Sequence, residues 1–161
     1  MLIIVCGLQG PGKSTVAKKI TEKINSVLLR TDVIRRELVK NPQYTKEEIE
    51  KTYNEMFSRT QKFLSENKNV ILDATFAKQE NRSRAKEIAK KVDINLKIVE
   101  VICAEDIIKK RIGKRLGDAS RAQFKNYLEY KKIFEPIKGQ HTVIDNSGTI
   151  AKTNEQLISK I

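Results

Sequence analysis

Three glycines, a lysine and a serine fall in one short stretch, Gly7-Leu8-Gln9-Gly10-Pro11-Gly12-Lys13-Ser14. The spacing is G-x-x-x-x-G-K-S, the pattern of a loop that holds nucleotide phosphates. Gly7, Gly10, Pro11 and Gly12 form the bend whose N–H groups converge on phosphate oxygens. A helix opening at the end of the loop adds partial positive charge. Lys13 has the reach for the β- and γ-phosphates, the Ser14 hydroxyl is a ligand for Mg²⁺, and Thr15 is next in the cradle. The cofactors expected from these residues are ATP, or GTP, with Mg²⁺.

Two carboxylates fall where apolar runs end. Asp73 closes Val70-Ile71-Leu72, the position from which a carboxylate holds Mg²⁺ directly or through water. Its structural alternative is a cap on the turn at Ala74-Thr75. Asp32 follows Ser26–Arg30. It reads either as a helix N-cap or as the base that takes a proton from an acceptor hydroxyl. Arg35 is three residues on, on the same helical face, and suits an acceptor's phosphate. Arg36 points elsewhere. Thr75 reads equally as a phosphate contact or as a cap.

A third group is basic. Nine lysines and arginines lie between Lys109 and Lys132, opposed only by Asp118 and Glu129. Gly113 and Gly117 interrupt them. A glycine-flanked, arginine-bearing segment between two helices, about residues 111–121, is what a phosphate-covering lid looks like. Arg111 and Arg115, four apart, face the same way, and either is placed to neutralise a moving phosphoryl group.

The elements that must position these groups alternate. Strands are expected at Leu2–Cys6, Ser26–Arg30, Val70–Asp73, Asn95–Cys103 and His141–Asp145. Helices are expected at 11–23, 33–40, from Thr45 to about Glu66, and at 78–91, 105–116, 120–134 and 153–161. Thr45 and Glu48 form a capping box. On the strand from Asn95, Glu100 breaks an otherwise apolar face, so that face is expected to be partly covered. Leu157, Ile158 and Ile161 are expected to turn inward. The alternation predicts an α/β fold with a mostly parallel five-stranded sheet flanked by helices, and one domain across 1–161.

Composition narrows the class further. The chain has 161 residues, 39% hydrophobic and 32% charged, with a net charge of +12, so polyanions such as nucleotides, nucleic acid and phosphorylated metabolites are the expected partners. Cys6 and Cys103 sit in apolar runs and read as buried thiols, with no disulfide partner and no metal set. No apolar run reaches the 18 or so residues of a membrane span. The unpaired thiols predict a cytoplasmic location, and Met1–Cys6 reads as a first strand rather than a signal peptide.

The chain resembles small P-loop kinases related to the polynucleotide 5′-kinase domain, a lineage shared with zeta toxins, chloramphenicol phosphotransferase and gluconate kinase. The resemblance rests on Gly7–Ser14, Thr31-Asp32-Val33-Ile34-Arg35, Ile71–Phe76, Arg82 and Glu135-Pro136, and covers nearly the full length. It implies a nucleoside-monophosphate-kinase-like P-loop fold with a basic lid. It also implies Asp32 as general base, Arg35 on the phosphate beside the acceptor nucleoside, and Arg111 or Arg115 on the donor phosphates. The activity expected is ATP-dependent transfer of the γ-phosphate to a hydroxyl. RNA or DNA 5′ ends come first, and a nucleoside or small-molecule hydroxyl is the alternative. A nucleic-acid-associated ATPase or regulator is the second class. The aromatic residues fall mostly at inward helical spacings, which weighs against a stacking face for nucleic acid.

Overall fold

The computed structural model describes the backbone of residues 1–116 and 120–161, and side chains outside 114–123. Among the described residues, five strands and seven helices follow one another: β1 (Leu2–Cys6), α1 (Lys13–Ile24), β2 (Ser26–Arg30), α2 (Thr31–Leu38), α3 (Lys46–Ser65), β3 (Asn69–Asp73), α4 (Gln79–Lys91), β4 (Leu96–Ile102), α5 (Glu105–Leu116), α6 (Ser120–Ile133), β5 (Thr142–Asp145) and α7 (Ile150–Lys160). The sheet is parallel throughout, in the order β2-β3-β1-β4-β5.

β1 is central and fully buried because both its faces are apolar. Leu2, Ile4 and Cys6 point into one core with Met56, Phe57 and Ile88 from α3 and α4. Ile3 and Val5 point into the other, with Val16, Ala17 and Ile20 from α1 and Leu157 from α7. A third, smaller cluster joins α5 to α6 through Ile108, Ile112 and Tyr127, and Leu8 of the phosphate loop packs against it.

Register places the functional strand ends together. Val5 pairs with Asp73, and Arg30 pairs with Asp73 from the other side. Cys6 lies opposite Glu100. Glu100 reaches His141 Nε2 at 3.3 Å, which is how the partly covered face of β4 accommodates a carboxylate.

Several boundaries differ from the sequence reading. α1 begins at Lys13 because Gly12, at φ 93°, is a left-handed N-cap. α2 begins directly at Thr31, with Arg30 as N-cap and no side-chain cap, so Asp32 is a first-turn residue and not the cap. Thr45 accepts the Glu48 N–H at 3.2 Å. The return half of the box is displaced: Glu48 Oε2 accepts the N–H groups of Gln43 and Tyr44 instead, at 2.9 and 2.7 Å. α7 begins three residues early at Ile150, capped by Thr149, whose hydroxyl accepts the Lys152 N–H. Its inward stripe is Thr153, Leu157 and Ile161 at four-residue steps. Ile158, about 100° round from Leu157, is 74% exposed, contrary to expectation.

Candidate active site

The phosphate loop leaves β1 at Gly7, whose N–H donates to the Thr75 carbonyl at 3.2 Å. Gly7 has φ 130°, and a Cβ there would overlap the Val101 carbonyl oxygen. The loop is thus pressed between the ends of β3 and β4, where only glycine fits. Its far side is held by Asn146, just after β5. Asn146 Nδ2 donates to the Pro11 carbonyl at 2.6 Å, while its Oδ1 accepts from Thr153 Oγ1 at 2.7 Å. Thr15 is exposed in the first turn of α1.

Lys13 folds back across the loop and donates to the Leu8 carbonyl at 2.6 Å. Burial lowers its pKa, and the carboxylates of Asp73 and Asp32 oppose that shift. Both predicted carboxylates therefore act on the loop lysine.

Ser14 Oγ donates to Asp73 Oδ2 at 2.6 Å. Asp73 bonds no group of the turn at Ala74-Thr75, so it is not the cap of that turn. The two oxygens are hard donors, one from a buried carboxylate, and they fit a Mg²⁺ that draws its other ligands from water and phosphate. Among the described residues, no cluster of three or more acidic, histidine or cysteine ligands offers another centre.

Arg30 is a residue that the sequence reading missed. Its Nε donates to Asp73 Oδ2 at 3.1 Å and its Nη2 to Ser14 Oγ at 2.9 Å. A cation at these oxygens would take ground that the guanidinium now holds. The only signal was a basic residue at the end of a strand, one position before Thr31-Asp32.

Asp32 projects from the first turn of α2, 67% exposed on its side chain. Arg35 Nη1 donates to Asp32 Oδ1 at 3.4 Å. The Arg35 side chain is itself 8% exposed, and its Nε is buried without a partner. Through Nη1, Arg35 thus sets a cation beside the exposed Asp32 carboxylate. Arg36 turns away and donates to the Asp32 carbonyl.

The loop after β3 is fixed by an unusual pin. Phe76 is fully buried at φ 48°, a left-handed conformation that bulky residues avoid. Both its backbone groups are held by side chains: Tyr53 Oη accepts its N–H at 3.0 Å, and Arg82 Nη1 donates to its carbonyl at 2.6 Å. Arg82 is 1% exposed and also donates to the Ala77, Glu135 and Pro136 carbonyls and to Gln79 Oε1. Glu135 Oε2 accepts the first N–H of α4, from Gln79, at 2.6 Å, and this bond holds its carboxyl below the usual range. Thr75 does not cap α4, whose N-cap is Lys78; its carbonyl steadies Gly7 instead.

Arg111 lies on the other flank of the loop. Its Nη1 donates to the Pro11 carbonyl at 3.4 Å and its Nη2 to the Asn146 carbonyl at 2.8 Å. It braces the loop against the turn after β5. The Arg115 side chain lies outside the described residues, as do the other side chains of the expected lid from 114 to 121 and the backbone of 117–119.

A parallel sheet in this order, with a phosphate loop closing β1 and a carboxylate closing β3, defines a P-loop fold of nucleoside-monophosphate-kinase topology. The chain belongs to the AAA domain family, whose sequence pattern matches residues 2–137. It is 29% identical over 135 residues to an uncharacterized protein of Mycobacterium tuberculosis (strain H37Rv), covering 75% of this chain and 27% of that one. The chain thus spans about a quarter of that relative's length. It is 32% identical over 171 residues to the adenylate kinase of Buchnera aphidicola subsp. Cinara cedri, covering 99% of this chain and 72% of that one. Its fold matches the Mycobacterium tuberculosis APS kinase CysC, solved with AMPPNP and APS, with a TM-score of 0.76 at 18% identity, over 98% of this chain and 95% of that one. These likenesses establish a small P-loop kinase fold. They do not single out polynucleotide kinase or zeta toxin. No helix among the described residues is long and apolar enough to cross a membrane.

Proposed function

We propose that this chain, read as one domain across 1–161, is an ATP-dependent kinase that transfers the γ-phosphoryl group to a hydroxyl. The polynucleotide 5′-hydroxyl is the first acceptor and a nucleoside or small-molecule hydroxyl the alternative. The observation that carries the reading is the acceptor side: an exposed Asp32 paired with the Arg35 guanidinium. A simple nucleotide hydrolase needs neither. The adenylate kinase relative and the AMPPNP-bound structural neighbour support ATP as donor.

In this mechanism Lys13 and the loop amides hold the β- and γ-phosphates. Ser14 and Asp73 are the residues that would hold Mg²⁺, which would supply neutralisation of phosphate charge. Asp32 accepts the proton of the acceptor hydroxyl. The acceptor oxygen forms its bond to the γ-phosphorus in line as the bond to the β-phosphate oxygen breaks, and ADP departs. Arg35 holds an acceptor phosphate. Arg111 or Arg115, in a lid at about 111–121, neutralises the transferring group.

Labelled γ-phosphate transfer to a panel of 5′-hydroxyl RNA, 5′-hydroxyl DNA, nucleosides and sugar alcohols tests this. Asp32→Asn should lower transfer by about 10²- to 10⁴-fold. Unchanged transfer in that variant across pH would remove the base assignment. Rapid ATP hydrolysis stimulated by RNA or DNA, with no labelled acceptor, would replace the reading with a nucleic-acid-associated ATPase.

A further inference from the structure

Among the described residues, five that are not glycine have positive φ: Asn25, Tyr44, Asn67, Phe76 and Asp93. Three are asparagine or aspartate, the side chains that tolerate this conformation. Phe76 is a core residue locked by Tyr53 and Arg82. Tyr44 alone is bulky, left-handed at φ 58° and exposed, at 56%. Nothing in the cores requires its ring. Yet its backbone is held: Glu48 Oε2 accepts the Tyr44 N–H at 2.7 Å and the Gln43 N–H at 2.9 Å.

The held backbone sets the ring over the acceptor site. Arg35 Cζ lies 4.6 Å from the Tyr44 ring centroid, so one face of the ring covers the guanidinium that pairs with Asp32. Tyr44 is otherwise exposed, and the Arg35 it covers pairs through Nη1 with Asp32. Strain that the fold does not need, kept at a binding surface, points to function.

We infer that the Tyr44 ring is a stacking face for the acceptor, and that the acceptor carries a heteroaromatic base together with its phosphate and hydroxyl. This inference rests on the kinase reading above and narrows its acceptor class. The Arg35 cation on one face draws electron density from the ring. Such a ring is a weaker partner for sugar C–H groups, which seek an electron-rich face, and a better one for an electron-rich base. Phosphate on Arg35, base on Tyr44 and hydroxyl at Asp32 together describe a nucleotide, free or at a polynucleotide end.

Transfer kinetics with three acceptors separate the possibilities: a 5′-hydroxyl dinucleotide, a nucleoside 3′-monophosphate, and glycerol 3-phosphate, which has phosphate but no base. Tyr44→Gly should raise KM for the base-bearing acceptors about tenfold, the scale of one lost base stack, with kcat nearly unchanged. KM for glycerol 3-phosphate should rise much less than for the base-bearing acceptors, and Tyr44→Phe, which keeps the ring, should retain the stack. Tyr44→Gly should also melt within about 3 °C of wild type, because glycine relieves the left-handed strain. Preference for the dinucleotide over the monophosphate would assign the polynucleotide end.

Equal KM effects on all three acceptors would overturn the inference, since Tyr44 would then only prop Arg35. So would no effect on any, or a fall in melting temperature beyond about 6 °C, which would make the ring structural. If no acceptor is phosphorylated, the kinase reading fails by itself. Equilibrium dialysis of labelled nucleoside 3′-monophosphate then decides the stack: about tenfold weaker binding by Tyr44→Gly supports it, and equal binding overturns it.

Discussion

The Ser14 hydroxyl donates to the Asp73 carboxylate across 2.6 Å, joining the end of the phosphate loop to the end of β3. This bond aims two oxygens at one point. Asp73→Asn keeps the shape and removes the charge, so Mn²⁺ affinity measured with bound ADP should fall about 10- to 100-fold. Ser14→Ala should act in the same direction. Unchanged affinity in both would place the divalent ion elsewhere.

Arg30 competes for the same two oxygens. If Ser14 and Asp73 hold a divalent ion as proposed, replacing Arg30 with methionine removes a like charge beside it, and Mn²⁺ affinity should rise by up to about tenfold. The same change strips buried Asp73 of its cationic partner. Arg30→Met should therefore melt lower than wild type in EDTA and regain the loss when Mn²⁺ is added. A loss that Mn²⁺ does not repair would argue against competition.

Arg82 spans α4, the loop after β3 and the segment at Glu135-Pro136. Arg82→Met leaves several carbonyls unpaired in the interior and should lower stability by about 3 kcal/mol or more in urea unfolding. Arg82→Lys should not rescue it, because an ammonium cannot fork to these acceptors. ATP affinity should weaken too, since Phe76 and Thr75 lead directly to Gly7.

Glu135 supplies a pH signature. Its carboxyl is held below the ordinary value of 4.5, first by the Gln79 N–H and then by Lys78. A carboxylate with a lowered folded pKa stabilises fully above 4.5, and that contribution is lost as pH falls through the lowered value. The melting-temperature gap between wild type and Glu135→Gln should therefore be largest near neutrality and close in acid. A gap independent of pH would mean that the ionised form does no stabilising.

Much of this molecule is legible from local pattern. Gly7 to Ser14 specifies a phosphate loop because glycine placement, lysine and hydroxyl are all contiguous. β1 reads as a central strand because Leu2 to Cys6 have no polar face to give to water. The helix at Thr45 reads from its cap. Local pattern fails where neighbours arrive from elsewhere in the chain. Asp32 looks like a cap until β2 is seen to run straight into α2. Ile158 looks inward until the stripe at Thr153, Leu157 and Ile161 is seen to take the only covered face.

The sequence by itself determined the phosphate loop, the two carboxylates at strand ends and the α/β alternation, because each depends on residues within a few positions of one another. Only the tertiary structure decided that Arg30 shares oxygens with Ser14 and Asp73, that Asn146 and Arg111 meet at Pro11, that Arg82 fixes Phe76, and that Tyr44 lies on Arg35. Those relationships join residues whose proximity is set by strand order, cross-strand register and loop path, and no local spacing encodes them.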